Sequence, residues 1–469
     1  MGRGKKIGMI GLVMINLIAI DSLRNIPITA PAGLKIVFFY LIGALCFFLP
    51  CALATAELST RWPKNGGISC WIEEAFGKTT SFFVVWMQWI YNLIWFPSIT
   101  AFAATQLAYA IGSVSGVDSL GLSNNAIYVT VVSLATFWIA TILNFRSMKT
   151  VERVSTFGAL FGTLGPMLLV TLLGIIWWVS GHHMHIIYKD SDITGWNSLG
   201  LTIVVLFSLM GIEMASSHAG SVRKPLRDFP KALWITVLLI PISLVLANLA
   251  IGIVVPATEI DNRAGLMQSF EVFFRAFHIP WMDTIMALCL FVGAFTGIAA
   301  WAFGLSRYLK TISDNGFMPK ILGELNKEEI PQNAMIFQAF IVSAICLIYL
   351  WMPSIQSAYW FLSDLTAQLA LMAYVIFFIA AIKLRLTRKW KPEKTYSLKN
   401  RYVSVAIYAV GIVTCFVGMG MGFVLPSSSL ISIKTFDAML ISGIIISLLI
   451  PAIVIFFKKN TVLNTLKKK

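Results

Sequence analysis

Residues 204–231 read VVLFSLMGIEMASSHAGSVRKPLRDFPK. An apolar run carries a glycine and a carboxylate, Gly211 and Glu213, at its middle and leaves through a basic, proline-punctuated segment. A continuous lipid-facing helix has no use for either residue at its centre. An interrupted helix beside a water-filled cavity does, because freed backbone groups and a charge can then meet a polar ligand. This is the pattern expected of a solute site at the middle of a bilayer.

The rest of the chain is built to surround such a segment. Of its 469 residues, 58% are hydrophobic and only 12% charged. Apolar runs of about 20 residues suit helices crossing a hydrocarbon core roughly 30 Å thick. Twelve spans are expected, at 7–32, 36–58, 80–111, 125–144, 153–180, 197–220, 229–255, 282–310, 333–352, 356–384, 402–425 and 437–457. The third, fifth, eighth and tenth are long enough to tilt or to project by an extra turn.

Charge orients the spans. With both termini in the cytoplasm, 30 of the 36 Lys and Arg fall on the inner side. Lys35, Lys189, Arg263, Arg275 and Lys434 remain outside, and Arg24 lies within the membrane. That asymmetry is the positive-inside pattern. The net charge of +15 is therefore an orientation signal, and no nucleic-acid partner is implied. The six cysteines lie in or beside apolar spans without a CxxC pair, and read as small buried residues. Asp21 and Arg24 interrupt the first apolar run, so it is kept as the first span and not as a cleaved leader.

Span 1 breaks at Asp21-Ser22-Leu23-Arg24-Asn25, and span 6 breaks five spans later. Interruptions at corresponding places point to an inverted repeat. The expected organisation is 1–180 (spans 1–5), 197–384 (spans 6–10), 402–457 (spans 11 and 12) and a short basic cytoplasmic tail, 458–469. Asp21 and Arg24 have two readings, an ion pair at i,i+3 or groups facing a cavity. Asp228 is expected to cap span 7 and Pro225 to end span 6. Residues 383–401 read as a solvated basic loop that meets lipid headgroups, and 256–280 as a re-entrant or interfacial external helix able to act as a lid.

Several motifs then align in order along the chain: Ala54–Ala56-Glu57-Leu58 before Gly66-Gly67, Met210-Gly211-Ile212-Glu213 through Ser217-His218, and Pro225-Leu226-Arg227-Asp228-Phe229-Pro230. Ala300-Trp301 through Ser306-Arg307 and Asn315-Gly316-Phe317-Met318-Pro319 follow. In this order the chain resembles the amino acid–polyamine–organocation superfamily, and within it the bacterial glutamate/GABA antiporter branch. The resemblance implies a LeuT-type 5+5 inverted repeat plus two C-terminal helices, alternating access, and residence in a bacterial inner membrane. Gly297 stands where that branch has a glutamate four residues before the tryptophan, and Ala370 replaces one of two tyrosines, leaving Tyr374. These departures bear on which substrate is carried, not on the transport class.

An amino acid brings a carboxylate and an ammonium. Half-helix N-termini suit the first, and unwound carbonyls the second. The expected substrate-binding set is Ile20, Asp21, Ser22, Leu23 and Arg24 on span 1, with Ser208, Met210, Gly211 and Ile212 on span 6. Ser22 and Ser208 act as hydroxyl helpers or bond back to their own helices. Trp301 and Tyr374 join the set, Trp301 as the aromatic gate that the resemblance implies or as a packing residue. Glu213 is either a proton-coupling group, whose protonation follows its exposure to water, or a constitutive partner of freed N–H groups or of a hydroxyl. His218 titrates in the useful range or packs. Asp364 faces the pathway or forms a buried polar contact, while Asn92 and Trp95 are candidates for the vestibule. His182, His183 and His185 form an external cluster.

The expectation is a secondary amino-acid exchanger, monomeric or weakly dimeric, with no metal and no cofactor. Proton-coupled symport and a transport-inactive amino-acid sensor are the alternatives. Nothing in the chain has the motifs of a membrane enzyme.

Overall fold

Ten helices among the described residues are long and apolar enough to cross a membrane. The computed structural model describes residues 8–20, 23–62, 67–145, 156–158, 160–185, 199–214, 216, 222–388, 396, 398, 400–424 and 431–467. In chain order the helices are α1 (Met9–Ile20), α2 (Lys35–Arg61), α3 (Gly67–Phe76), α4 (Lys78–Ser115), α5 (Ala126–Leu143), α6 (Gly165–Val179) and α7 (Leu201–Ser208). They continue as α8 (Pro225–Val254), α9 (Gly265–Ala276), α10 (Met282–Asp314), α11 (Gln332–Trp351), α12 (Ile355–Thr387), α13 (Arg401–Met421) and α14 (Ile433–Lys467). Among the described residues, the expected spans without a long continuous helix are the first and the sixth, the two expected to break.

The chain divides into two compact units, and each draws on both halves of the sequence. The first comprises residues 1–81, 163–278 and 371–427. Within it, α8 is the post to which both parts of span 1 are tied. Asn16 on α1 donates to Thr236, and Thr29, beyond the break, donates to Asn248. The second unit comprises residues 82–162, 279–370 and 428–469. Its core is aromatic: Trp86, Trp89, Phe96 and Phe137 are buried with Leu305 and Ile298 of α10. Gly293 meets Gly162 so closely that a Cβ at position 293 would sit 2.4 Å from the Gly162 carbonyl oxygen. Small residues here let two segments touch through their backbones.

Local expectations at the turns need correction. Pro225 begins α8 rather than ending span 6, because proline at the first helical position forfeits only an N–H that has no partner there. Asp228 consequently lies inside the first turn of α8 and is not its cap. Beyond the span the helix α14 runs on to Lys467. Residues Gly265–Ala276, in the segment expected outside, form a helix, α9, which buries Leu266, Met267, Phe270, Phe273 and Phe274 within the first unit.

Candidate functional site

The break in span 6 starts where α7 ends, at Ser208. The N–H groups of Leu209 and Met210 bond three residues back, to Leu206 and Phe207, so the last turn tightens and the helical ladder stops. Gly211 follows at φ +113°, a conformation that side chains with a Cβ rarely adopt, which explains a glycine in the middle of an apolar run. Its N–H leaves the ladder and donates to the hydroxyl of Tyr374 on α12, at 2.9 Å.

The same hydroxyl donates to Glu213 Oε2 at 2.5 Å. A phenol both accepts and donates, so Tyr374 closes the gap left in the ladder and binds the carboxylate two residues beyond Gly211. Glu213 is 3% exposed, and Tyr374 is held in place by edge-on contacts with the rings of Phe47 and Phe377. Of the readings open for Glu213, the hydroxyl partner is present in this structure. Ser208 donates to the carbonyl of Val204 at 2.9 Å, so its proton is used within its own helix. Met210 is half-buried, and Ile212 is buried.

Span 1 is interrupted as well. α1 ends at buried Ile20, and the chain resumes as a tight turn over Leu23–Asn25, a four-residue helix over Ile26–Thr29 and a second tight turn over Ala30–Ala32. Leu23 and Arg24 are both buried, and the Arg24 guanidinium lies 5.6 Å from the ring centroid of Phe207 on α7. An arginine over an aromatic face is attracted by the ring's quadrupole. It also ties the two interrupted segments together. Asp21, Ser22 and His218 lie outside the described residues.

The remaining candidates are divided between the units. Trp301 on α10, in the second unit, is half-buried, with Trp95 edge-on at 6.0 Å between ring centroids. Gly297, one turn earlier, has open space where a Cβ would stand. Asn92 donates to the Gln88 carbonyl of its own helix. Asp364 is buried on α12, one turn before Gln368. In the first unit, His182 stacks on Trp177, and His183 on His185.

A second buried carboxylate figures in the sequence only as part of a motif. Glu57, near the Arg61 end of α2, accepts from the Tyr408 hydroxyl (2.7 Å), the Ser404 hydroxyl (3.2 Å) and the Leu398 N–H (3.1 Å). Arg385 Nε stands 3.9 Å away, and the same guanidinium donates to the Leu398 carbonyl. The Tyr396 N–H donates to Thr60. The described part of the loop between α12 and α13 is therefore docked on α2, not solvated as expected. The available signal was a lone carboxylate inside an apolar span, which demands a partner.

These features match known proteins over nearly the whole chain. The amino acid permease profile covers residues 7–459. An uncharacterized transporter of Legionella pneumophila is 38% identical over 98% of both chains. A glutamate/gamma-aminobutyrate antiporter of Lactococcus lactis is 25% identical, covering 96% of this chain and 90% of its own. The putrescine transporter PotE of Escherichia coli is 22% identical, covering 84% and 87%. Among solved structures, MhsT in complex with L-phenylalanine superposes with a TM-score of 0.58 at 14% identity, covering 90% of this chain and 99% of that one. With its interrupted helices and ten long apolar ones, the chain is a multi-pass membrane protein that belongs to the amino acid permease family.

Proposed function

We propose that this protein is a secondary amino-acid exchanger of a bacterial inner membrane, working by alternating access with its substrate at the breaks of spans 1 and 6. The observation that carries the reading is the opened segment at Gly211. Its helical ladder is interrupted, its N–H is turned to a side chain, and a buried carboxylate stands two residues away. Backbone polar groups at such depth are tolerated only where they line a cavity or find partners in protein.

The full proposal is twelve spans in two inverted repeats, 1–180 and 197–384, with two further helices and both termini in the cytoplasm. The α-carboxylate and ammonium of the substrate would be held by backbone around Ile20–Leu23 and Ser208–Ile212, with Arg24 nearby and Trp301 as the aromatic gate. Tyr374 positions the break beside the substrate, its hydroxyl accepting from the Gly211 N–H and donating to Glu213. The relatives named above include a glutamate/gamma-aminobutyrate antiporter and a putrescine transporter, which supports a small molecule bearing an amino group as the substrate class.

Counterflow in proteoliposomes tests the exchange. Uptake of a labelled amino acid should require unlabelled amino acid on the far side. Net uptake into empty vesicles that dissipates a pH gradient would replace exchange by proton symport, the reading favoured by burial of Glu213. Binding without any flux would leave only a sensor.

A further inference from the structure

A recess of about 230 Å³ opens on the first unit between the start of α2, the end of α6 and the end of α8. It has no part in the proposed transport site. Its rim is formed by Leu34, Ile175, Trp178 and Leu246, all exposed, with Trp178 66% exposed. Thr171 brings the one side-chain hydroxyl to the lining, and that hydroxyl donates to the Met167 carbonyl of its own helix. A space of this kind offers water no set of polar partners and offers an amino acid no match for its charges. In a membrane-spanning chain, an apolar recess with an exposed apolar rim meets hydrocarbon.

The edge of the recess is polar in one sense only. Leu34 is followed by Lys35, which is exposed. Met184, another lining residue, is flanked by exposed His183 and His185, whose rings stack at 5.1 Å. The His185 N–H donates to the carbonyl of Ile253, itself a lining residue, and so pins the histidines at the mouth. An ammonium and two imidazoles beside an apolar slot complement a phosphate joined to an acyl chain, and an exposed tryptophan suits the headgroup level.

We propose that this recess seats one acyl chain of an anionic phospholipid, whose phosphate is bound by Lys35 and the imidazoles of His183 and His185. The site rests on membrane embedding alone, so it stands or falls separately from the exchange reading.

Electron paramagnetic resonance of the full chain in phosphatidylcholine vesicles, with trace chain-nitroxide phosphatidylglycerol or phosphatidylcholine, tests it. The native protein should hold a motionally restricted phosphatidylglycerol beyond the exchangeable boundary layer, with a severalfold preference over phosphatidylcholine. Gly252→Leu should abolish that component, since Gly252 lines the recess and a Cβ there meets only the Ala30 carbonyl oxygen, at 3.4 Å. Ile175→Trp, on the exposed rim, should block the mouth without burdening folding. Lys35→Gln should keep the restricted chain and remove the anionic preference. Equal restricted fractions in the native protein and both blocking variants would overturn the seat. Equal uptake of the two lipids by the native protein would overturn the headgroup assignment and reduce the recess to ordinary boundary lipid.

Discussion

Two buried carboxylates of the first unit, Glu57 and Glu213, each receive a tyrosine hydroxyl, and there the likeness ends. Glu57 has Tyr408, Ser404, a backbone N–H and a guanidinium around it, supplied by α12, α13 and the loop between them. Glu213 has Tyr374, at the edge of an interrupted helix. A carboxylate surrounded by donors from three elements fixes those elements. One bridged by a neutral phenol and by N–H groups of its own opened segment, next to a glycine in an unusual conformation, ties fewer elements together. Both sets of contacts use α12. Tyr374 and Arg385 are eleven residues apart, about three turns and on one face of that helix. The helix is thus anchored at its Arg385 end and carries at its middle the group that closes the break.

The largest effect should come from the anchored end. Replacing Arg385 by Leu leaves Glu57 buried without its cation, and breaking a buried pair costs about 3–5 kcal/mol. Thermal unfolding of the purified protein should shift down strongly, and Glu57→Leu in the same chain should recover most of the loss. If Arg385→Leu alone unfolds like the native protein, the charge is not what docks the loop.

The same chemical change made at the two tyrosines probes the contrast directly. Tyr374→Phe removes a donor from Glu213 and the acceptor of the Gly211 N–H, leaving buried polar groups unmet at about 1–3 kcal/mol. Uptake should fall by more than the unfolding temperature implies, because the break loses its closure. Tyr408→Phe leaves Glu57 two other donors and the Arg385 cation, and should cost about 0.5–1.5 kcal/mol with transport retained. Equal loss of uptake in the two variants would erase the distinction between a poised carboxylate and a fixed one.

Glu213→Gln should be gentler on stability, since an amide oxygen still accepts from Tyr374. If Glu213 exchanges a proton as its surroundings open to water, the pH dependence of transport should flatten in this variant. A pH–rate curve identical to that of the native protein would leave Glu213 as a structural partner of Tyr374 alone.

How much of this is legible in the sequence follows from the range of the interactions. The breaks are readable because their causes are local: Gly211 and Glu213 inside an apolar run, and Asp21 to Asn25 inside another. Tyr374 stands out too, as a substrate contact, without its partners in the protein. Its actual partners lie 161 and 163 residues away, and no periodicity connects them. Glu57 is in plain view within a motif, yet its donors include a loop whose basic composition reads as solvated. Pro225 and Asp228 mark the right boundary but suggest the wrong roles, because a proline that stops one helix and one that starts the next look alike in a short loop. Spacing locates the opening, whereas the groups that hold it in place come from pairings between distant segments.

The smallest effect tests whether burial or closeness ranks these contacts. Arg388, three residues beyond Arg385, meets Glu74 at 2.6 Å, far nearer than the 3.9 Å between Arg385 and Glu57. By distance the first pair should matter more. However, its side chains are 52% and 37% exposed, while those of the second are 4% and 2% exposed. Water and salt screen the exposed pair, so it contributes about 0–1 kcal/mol. Arg388→Gln should therefore leave unfolding and uptake close to native, with any difference vanishing as salt is raised. If that variant is destabilised as much as Arg385→Leu, the loop is held by its surface contacts, and Glu57 loses its claim to be the fixed member of the pair.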